Sequence, residues 1–217
     1  MRKNVNAVMF DMDGLLFNSE DIVEKAYAAM LGRRGLTMCR ELRSKVTGMP
    51  PIRSFTTLAD WHSLPQSWTE LSDEFHNIYR TFLPEMLEKM PGVDTLLQHL
   101  DSRGTPYGIG TSNLRDVAIE CLEQCDLLHR IQFVITSQDV EKGKPDPDVY
   151  LAGAEQLGVT PAEMVVLEDS PNGCRAGIAA GAMTVAVPNA HTRDFEFPEE
   201  LTLRVESLDA PELLELL

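Results

Sequence analysis

The chain has 217 residues, 43% hydrophobic and 24% charged, a globular composition rather than a disordered one. A formal net charge of −15 argues against nucleic acid and anionic membrane surfaces as partners, because a strongly negative surface repels both. It leaves room for a small anionic substrate, since a bound cation and a few local positive groups can invert the field inside one cleft.

No apolar run approaches the length of a membrane span. The opening residues, MRKNVNAVMF, are basic at the start but lack the apolar stretch and small-residue cleavage site of a signal peptide. Cys39, Cys121, Cys125 and Cys174 form no C-x-x-C pair and read as free thiols of a reduced, cytoplasmic protein.

Residues 7–10, Ala-Val-Met-Phe, predict the first strand, and it runs directly into Asp11-Met12-Asp13-Gly14. On an extended chain the side chains of i and i+2 point the same way, so Asp11 and Asp13 can face one site while Met12 turns to the core. Gly14 permits an unusual turn immediately after. About ninety residues then pass before the next strand, far more than one crossover needs. Helices are expected over 21–34 and 67–87, with Met49-Pro50-Pro51 as a break. The expected domains are therefore an α/β core over 1–16 and 86–217 and a helical insert over 17–85, with the return near Pro91-Gly92. Residues 16–85 carry a net charge of only −1, so the remainder carries −14. Within the insert, Arg33, Arg34, Arg40, Arg43, Lys45 and Arg53 face only Glu41. They are either a solvated basic face or an electropositive lid over an anion. Trp61, Trp68 and Tyr79 are either core anchors or substrate contacts.

After the insert, "GVDTLLQHLDSRG" predicts a helix stopping at Gly104. Strands follow at 107–110, 133–136, 164–167 and 184–187, separated by the helical stretches "LRDVAIECLEQC", "PDVYLAGAEQLG" and "SPNGCRAGIAAGA". In the last, Ser170 is placed to cap the helix and Pro171 to open it. Gly173, Gly177 and Gly181 suit close packing of that helix on the sheet. The acidic end, "DAPELLELL", predicts a short amphipathic helix. Alternating strands and helices imply a parallel sheet.

In such a sheet ligands bind at the carboxyl edges of the strands. The residues just past those edges are Asp11 and Asp13, then Thr111-Ser112-Asn113, then Lys144 in "SQDVEKGKPDP", then Glu168-Asp169. Each alone has an ordinary explanation as a cap or a surface charge. Together they are the components of a phosphoryl-transfer site. Clustered hard oxygen donors without His or Cys favour Mg²⁺, while hydroxyls, loop N–H groups and a lysine suit a phosphate. One aspartate can attack phosphorus, and a second, its pKa raised by a neighbouring carboxylate, can serve as an acid. The five histidines, His62, His76, His99, His129 and His191, show no metal-ligand spacing.

The stretches "FDMDGLLFNSE", "IGTSN", "KGKPDPDVY" and "VVLEDSPNGCRAG" resemble, in this order and over the whole chain, the haloacid dehalogenase-like hydrolases. The likeness is greatest to the phosphatases and mutases related to β-phosphoglucomutase. The resemblance implies a Rossmann-like three-layer α/β/α core with strand order 5-4-1-2-3 and an inserted helical cap. It implies Asp11 as nucleophile and Asp13 as general acid/base and Mg²⁺ ligand through its carbonyl. Thr111 and Lys144 would bind the phosphoryl group, with Gly14, Ser112 and Asn113 as its neighbours. Asp11, Asp169 and Glu168, the last directly or through water, would complete the metal site. The implied activity is Mg²⁺-dependent hydrolysis of a small phosphorylated metabolite, a sugar phosphate or nucleotide-like molecule, through an aspartyl-phosphate. A monomer is expected, with a weak homodimer as the alternative.

The acid at Asp13 speaks against dehalogenase and phosphonatase activities, which the family runs without it. A phosphosugar mutase is the alternative, but Val23 stands where the β-phosphoglucomutases carry a histidine. Asn18 replaces the family's usual aspartate, and nothing in the sequence explains it. A receiver-like phospho-acceptor module would be shorter and would place its aspartate after a middle strand. A silent binding protein would not need the full set of Asp11, Asp13, Lys144 and Asp169.

Overall fold

The computed structural model describes residues 5–47 and 49–217. Residues 1–4, which carry the basic start of the opening segment, and residue 48 lie outside the described residues. β1 (Ala7–Phe10) lies between β2 (Tyr107–Gly110) and β4 (Met164–Glu168), parallel to both. β3 (Val134–Ile135) flanks β2, β5 (Met183–Ala186) flanks β4, and β6 (Leu203–Arg204) pairs with β5, all in parallel. The order is β3-β2-β1-β4-β5-β6. The five expected strands stand in the expected order, each within one residue of its predicted bounds. The sixth corrects the expectation. It is only two residues long and lies on the sheet edge, so no apolar run marks it in the sequence.

Two cores explain why 7–10 reads as one continuous apolar run. Val8 and Phe10 turn to one face, against Leu96, Leu97 and Leu100 of α5 (Val93–Arg103) and Val117 and Cys121 of α6 (Arg115–Gln124). Ala7 and Met9 turn to the other, against Val149, Tyr150 and Ala154 of α7 (Asp148–Leu157) and Ala176 of α8 (Pro171–Ala179). A parallel strand covered on both faces needs apolar residues at every position. α9 (Pro211–Leu216) is the expected C-terminal helix, and its Leu213 joins the first core.

Between β1 and α5 the chain forms α1 (Ser19–Gly32), α2 (Arg40–Val46), α3 (Pro51–His62) and α4 (Trp68–Met86). α1 and α4 match the two expected helices to within two residues, whereas α2 and α3 were not expected as separate elements. The proline break is real, but Pro51 also opens α3 at its first position, where a missing N–H costs nothing. α1, α3 and α4 close on a shared aromatic cluster. Phe75 stands 4.5 Å from Tyr27 and 5.4 Å from Phe55, centroid to centroid. α4 opens with a reciprocal capping box between Ser67 and Glu70. Its Arg80 reaches across to Glu120 of α6 at 2.8 Å.

Asn18 sits where the chain leaves the core and fastens the two passages together. Its backbone N–H donates to Glu88 O at 3.1 Å, and its Oδ1 accepts from Glu88 N at 2.8 Å. Its Nδ2 donates to Met86 O at 3.1 Å. A carboxylate would supply the acceptor but not the donor, which accounts for an amide here. Asn18→Asp should lower stability by about 1 kcal/mol by setting an anion against the Met86 carbonyl, read as an earlier urea midpoint at pH 7.

Candidate active site

Strand register brings the site together. Phe10 pairs with Ile109 on one side and Leu167 on the other, and Leu167 pairs with Val185. The strands therefore end within a residue of one another, with Asp11 and Thr111 just past β1 and β2 and Glu168 closing β4. Lys144 arrives from the loop after β3 and is buried at 2% exposure. Its Nζ donates to Asp11 Oδ1, to Glu168 Oε1 at 2.6 Å and to Gly110 O at 2.9 Å. All three ammonium hydrogens thus have acceptors. Burial alone would lower the Lys144 pKa, but Asp11 and Glu168 outweigh it and hold the ammonium above its ordinary value.

Glu168 is fully buried and accepts from every side. Besides Lys144, it takes Tyr150 Oη at 2.7 Å on Oε1, and Ser170 Oγ at 3.0 Å and Ser170 N at 3.2 Å on Oε2. Ser170 caps α8 as expected, accepting from Gly173 N at 3.1 Å. A Cβ on Gly173 would overlap the Glu168 carboxylate, so glycine is required for the helix to come this close. Glu168 thereby acts first as the anchor for Lys144. Tyr150 was missed because nothing in the helical pattern of "PDVY" separates it from a core residue.

Asp13 faces the same cavity but a different set of partners. Its Oδ2 accepts from Thr111 Oγ1 at 3.2 Å and from Asn113 Nδ2 at 3.3 Å, while Oδ1 is buried without a partner. Burial raises its pKa, and the nearby Ser19, Asn113 and Thr111 side chains oppose that only in part. Thr111 also accepts from Asn113 N at 3.0 Å. Its hydroxyl is turned to Asp13, while Ser112 and Asn113 line the cavity. Gly14 has φ +80, and a Cβ there would stand 2.5 Å from Asp169 Oδ2 and 2.6 Å from Asn189 Nδ2. Asn189 is a second residue the sequence reading missed. It donates to Asp169 Oδ2 at 2.8 Å and to Gly14 O at 3.0 Å. It follows β5, and the strand-edge rule applied to the fifth strand would have found it.

Carboxylate oxygens of Asp11, Glu168 and Asp169 lie within 4.8 Å of one another, all buried. The Asp13 carboxylate stands outside that set. Burial and mutual repulsion push Asp11 and Asp169 well above the ordinary carboxylate range, with Lys144 offsetting only part of it. A buried group of hard oxygen donors that one ammonium does not neutralise fits a hard divalent cation.

Above these residues a cavity of about 650 Å³ opens toward α1–α4. Val23, Tyr27, Phe55, His76 and Tyr79 line it together with Glu20 and Arg43. The two tryptophans are not among its walls; Trp61 and Trp68 are 41% and 37% exposed. The basic segment does not act as one lid. Arg34 pairs with Glu74 at 2.6 Å and Lys45 pairs with Glu41 at 3.4 Å, neither lining the cavity, whereas Arg40 and Arg43 of that segment are among its walls.

The haloacid dehalogenase-like hydrolase family model matches residues 8–187. The chain belongs to this family. Hexitol phosphatase A of Escherichia coli is 34% identical over 182 residues, covering 82% of this chain and 81% of that protein. A bifunctional riboflavin kinase/FMN phosphatase of Arabidopsis thaliana is 28% identical over 190 residues. The match takes in 87% of this chain but spans half the length of that relative, 50%. Such relatives place the chain among the family's phosphatases. The crystal structure of β-phosphoglucomutase from Clostridium difficile superposes with a TM-score of 0.83 at 19% identity, covering 97% of this chain and 96% of that one, which shows a shared fold.

Removing the buried cation should expose how much depends on it. Lys144→Met is expected to destabilise the metal-free protein by about 3–5 kcal/mol at pH 8, because Asp11 and Glu168 remain buried without their partner. The measurement is chemical unfolding at pH 8.

Proposed function

We propose that the chain is a Mg²⁺-dependent phosphatase that hydrolyses a small phosphomonoester through an aspartyl-phosphate on Asp11. The observation that carries this reading is the buried ammonium of Lys144 on Asp11, with Asp13 at the floor of the same cavity. Transfer forms a bond between an Asp11 carboxylate oxygen and phosphorus and breaks the ester P–O bond. Asp13, its pKa raised by burial, donates the proton that the leaving alkoxide needs. Water then attacks the same phosphorus, Asp13 takes its proton, and Asp11 is released with inorganic phosphate. Lys144 holds Asp11 in place and balances charge, while Ser112 and Asn113 face the phosphoryl oxygens. Asp11, Asp169 and the Asp13 carbonyl would hold Mg²⁺, with Glu168 fixing Lys144 beside them. The cation supplies charge neutralisation for the phosphate.

Residues 17–85 form the cap in this reading, and α1–α4 keep bulk water from the phosphoryl group. The phosphatase relatives support hydrolysis over phosphate migration. So does the apolar Val23 in the cavity wall, which offers no proton-transfer group at a place where the mutases carry one. Arg43 is already paired with Glu24 at 2.8 Å, which disfavours a substrate with a second phosphate. A small phosphorylated metabolite and a cytoplasmic location are proposed together.

Asp11→Asn should lower phosphate release at least about 10⁴-fold and leave the far-ultraviolet circular dichroism unchanged. Undiminished hydrolysis would sink the mechanism. The cation can be checked separately. The raised pKa values of Asp11 and Asp169 mean that the metal-free fold holds protons there that the unfolded chain has released. Those groups therefore lose stability as pH rises above the ordinary carboxylate pKa toward the folded one. The gain in Tm on adding Mg²⁺ should accordingly be larger at pH 8 than at pH 5, measured by differential scanning fluorimetry.

A further inference from the structure

We propose that Glu20 and Arg43 form the specificity element of the cavity and recognise a neutral, polyhydroxylated leaving group, a sugar or sugar alcohol. The inference rests on the phosphatase reading and names its substrate class. Glu20 lies in the first turn of α1, one helical step from the chain passage that carries Asp13, and its carboxylate lines the cavity. Arg43 approaches it from α2 to 3.5 Å, an ion pair looser than a good hydrogen bond. The guanidinium is held elsewhere. It takes Glu24 at 2.8 Å and His191 Nδ1 at 3.1 Å, and His191 Nε2 meets Asp21 at 2.8 Å. The arginine is thus fixed by two helices of the insert and by the loop after β5, and it stands short of closing on Glu20.

The pair presents an acceptor and a donor side by side in a half-buried place. A hydroxyl donates and accepts at once, so adjacent hydroxyls can bridge carboxylate and guanidinium with every partner satisfied. The alternatives fit less well. A second phosphate would meet Glu20 and Glu24 as well as Arg40 and Arg43, and an ammonium would meet both arginines. A bare alkyl chain would cover the half-buried Glu20 without giving it a new partner. Val23, Tyr27 and Phe55 on the cavity wall suit the C–H faces of a carbon chain that carries such hydroxyls. Specificity of this kind is large because a site built to bond a hydroxyl is left unpaired by an analogue without one.

The test compares sorbitol 6-phosphate, n-hexyl phosphate and inorganic phosphate as probes. The wild type should hydrolyse sorbitol 6-phosphate with kcat/KM at least tenfold above n-hexyl phosphate. Glu20→Gln should lower kcat/KM for sorbitol 6-phosphate about tenfold, chiefly through KM, and change that for n-hexyl phosphate by less than twofold. Glu20→Leu should narrow the gap further. Titration calorimetry in an Asp11→Asn background reads the same preference without turnover. There Glu20→Gln should weaken sorbitol 6-phosphate about tenfold and inorganic phosphate by less than twofold. Equal losses for all probes, or no loss for sorbitol 6-phosphate, would overturn the assignment. Absence of phosphate release from every ester by the wild type would overturn the phosphatase reading, and the calorimetric comparison would still decide between Glu20 as a hydroxyl contact and Glu20 as a bystander.

Discussion

The site depends on one ammonium group. Lys144 is buried beside Asp11 and Glu168, where an unpaired carboxylate would carry a desolvation penalty of several kcal/mol. The surrounding structure answers that constraint. Glu168 is held by Tyr150 and Ser170, so it cannot swing away from the lysine. α8 comes close enough to supply Ser170 because residue 173 is glycine. Lys144 in turn fixes Asp11, the residue whose carboxylate faces the cavity with Asp13. A chain of contacts through strands, helix and loop thus ends on a single oxygen.

The neutralisation is deliberately incomplete in its chemistry. Three carboxylates converge within 4.8 Å around one lysine, and burial keeps Asp11 and Asp169 above the ordinary carboxylate range. A divalent cation held there would relieve that repulsion, and its binding would then be coupled to pH. Asp13 lies outside the cluster and is surrounded by Thr111 and Asn113. The two aspartates spaced i, i+2 therefore occupy different electrostatic environments, Asp11 against Lys144 and Glu168 and Asp13 against Thr111 and Asn113.

The insert completes the site from the opposite side. Asn18 ties the outgoing and returning passages together, and the Arg43–His191–Asp21 contacts join α2, the β5 loop and α1. The cavity is consequently walled by both parts of the chain, and the polar pair at its side is placed by contacts across them.

Much of this was legible in the sequence because parallel strands buried on both faces leave short apolar runs. Residues 7–10, 107–110 and 164–167 were read directly, and the residues just past them proved to be Asp11, Thr111, Glu168 and Asp169. Local chemistry also announced Ser170 and Pro171 at the start of α8. The separate helices α2 and α3 were not legible, since α2 has only seven residues and its apolar positions make sense only against neighbours. β6 was missed for the same reason, a two-residue pairing at a sheet edge. Asn18 looked anomalous until its partners were seen to be backbone groups of residues 86 and 88, some seventy positions away.

By itself the sequence determined the strand order of side chains, the acidic and basic residues available at each strand end, and the family to which they belong. Those are properties of short stretches, set by periodicity and residue type. Only the tertiary structure decided which partner each charge takes: that Glu168 anchors Lys144, that Asn189 steadies Asp169, and that Arg43 stops short of Glu20. Such pairings join residues far apart in the chain, and their energies depend on burial and distance, neither of which exists until the chain has folded.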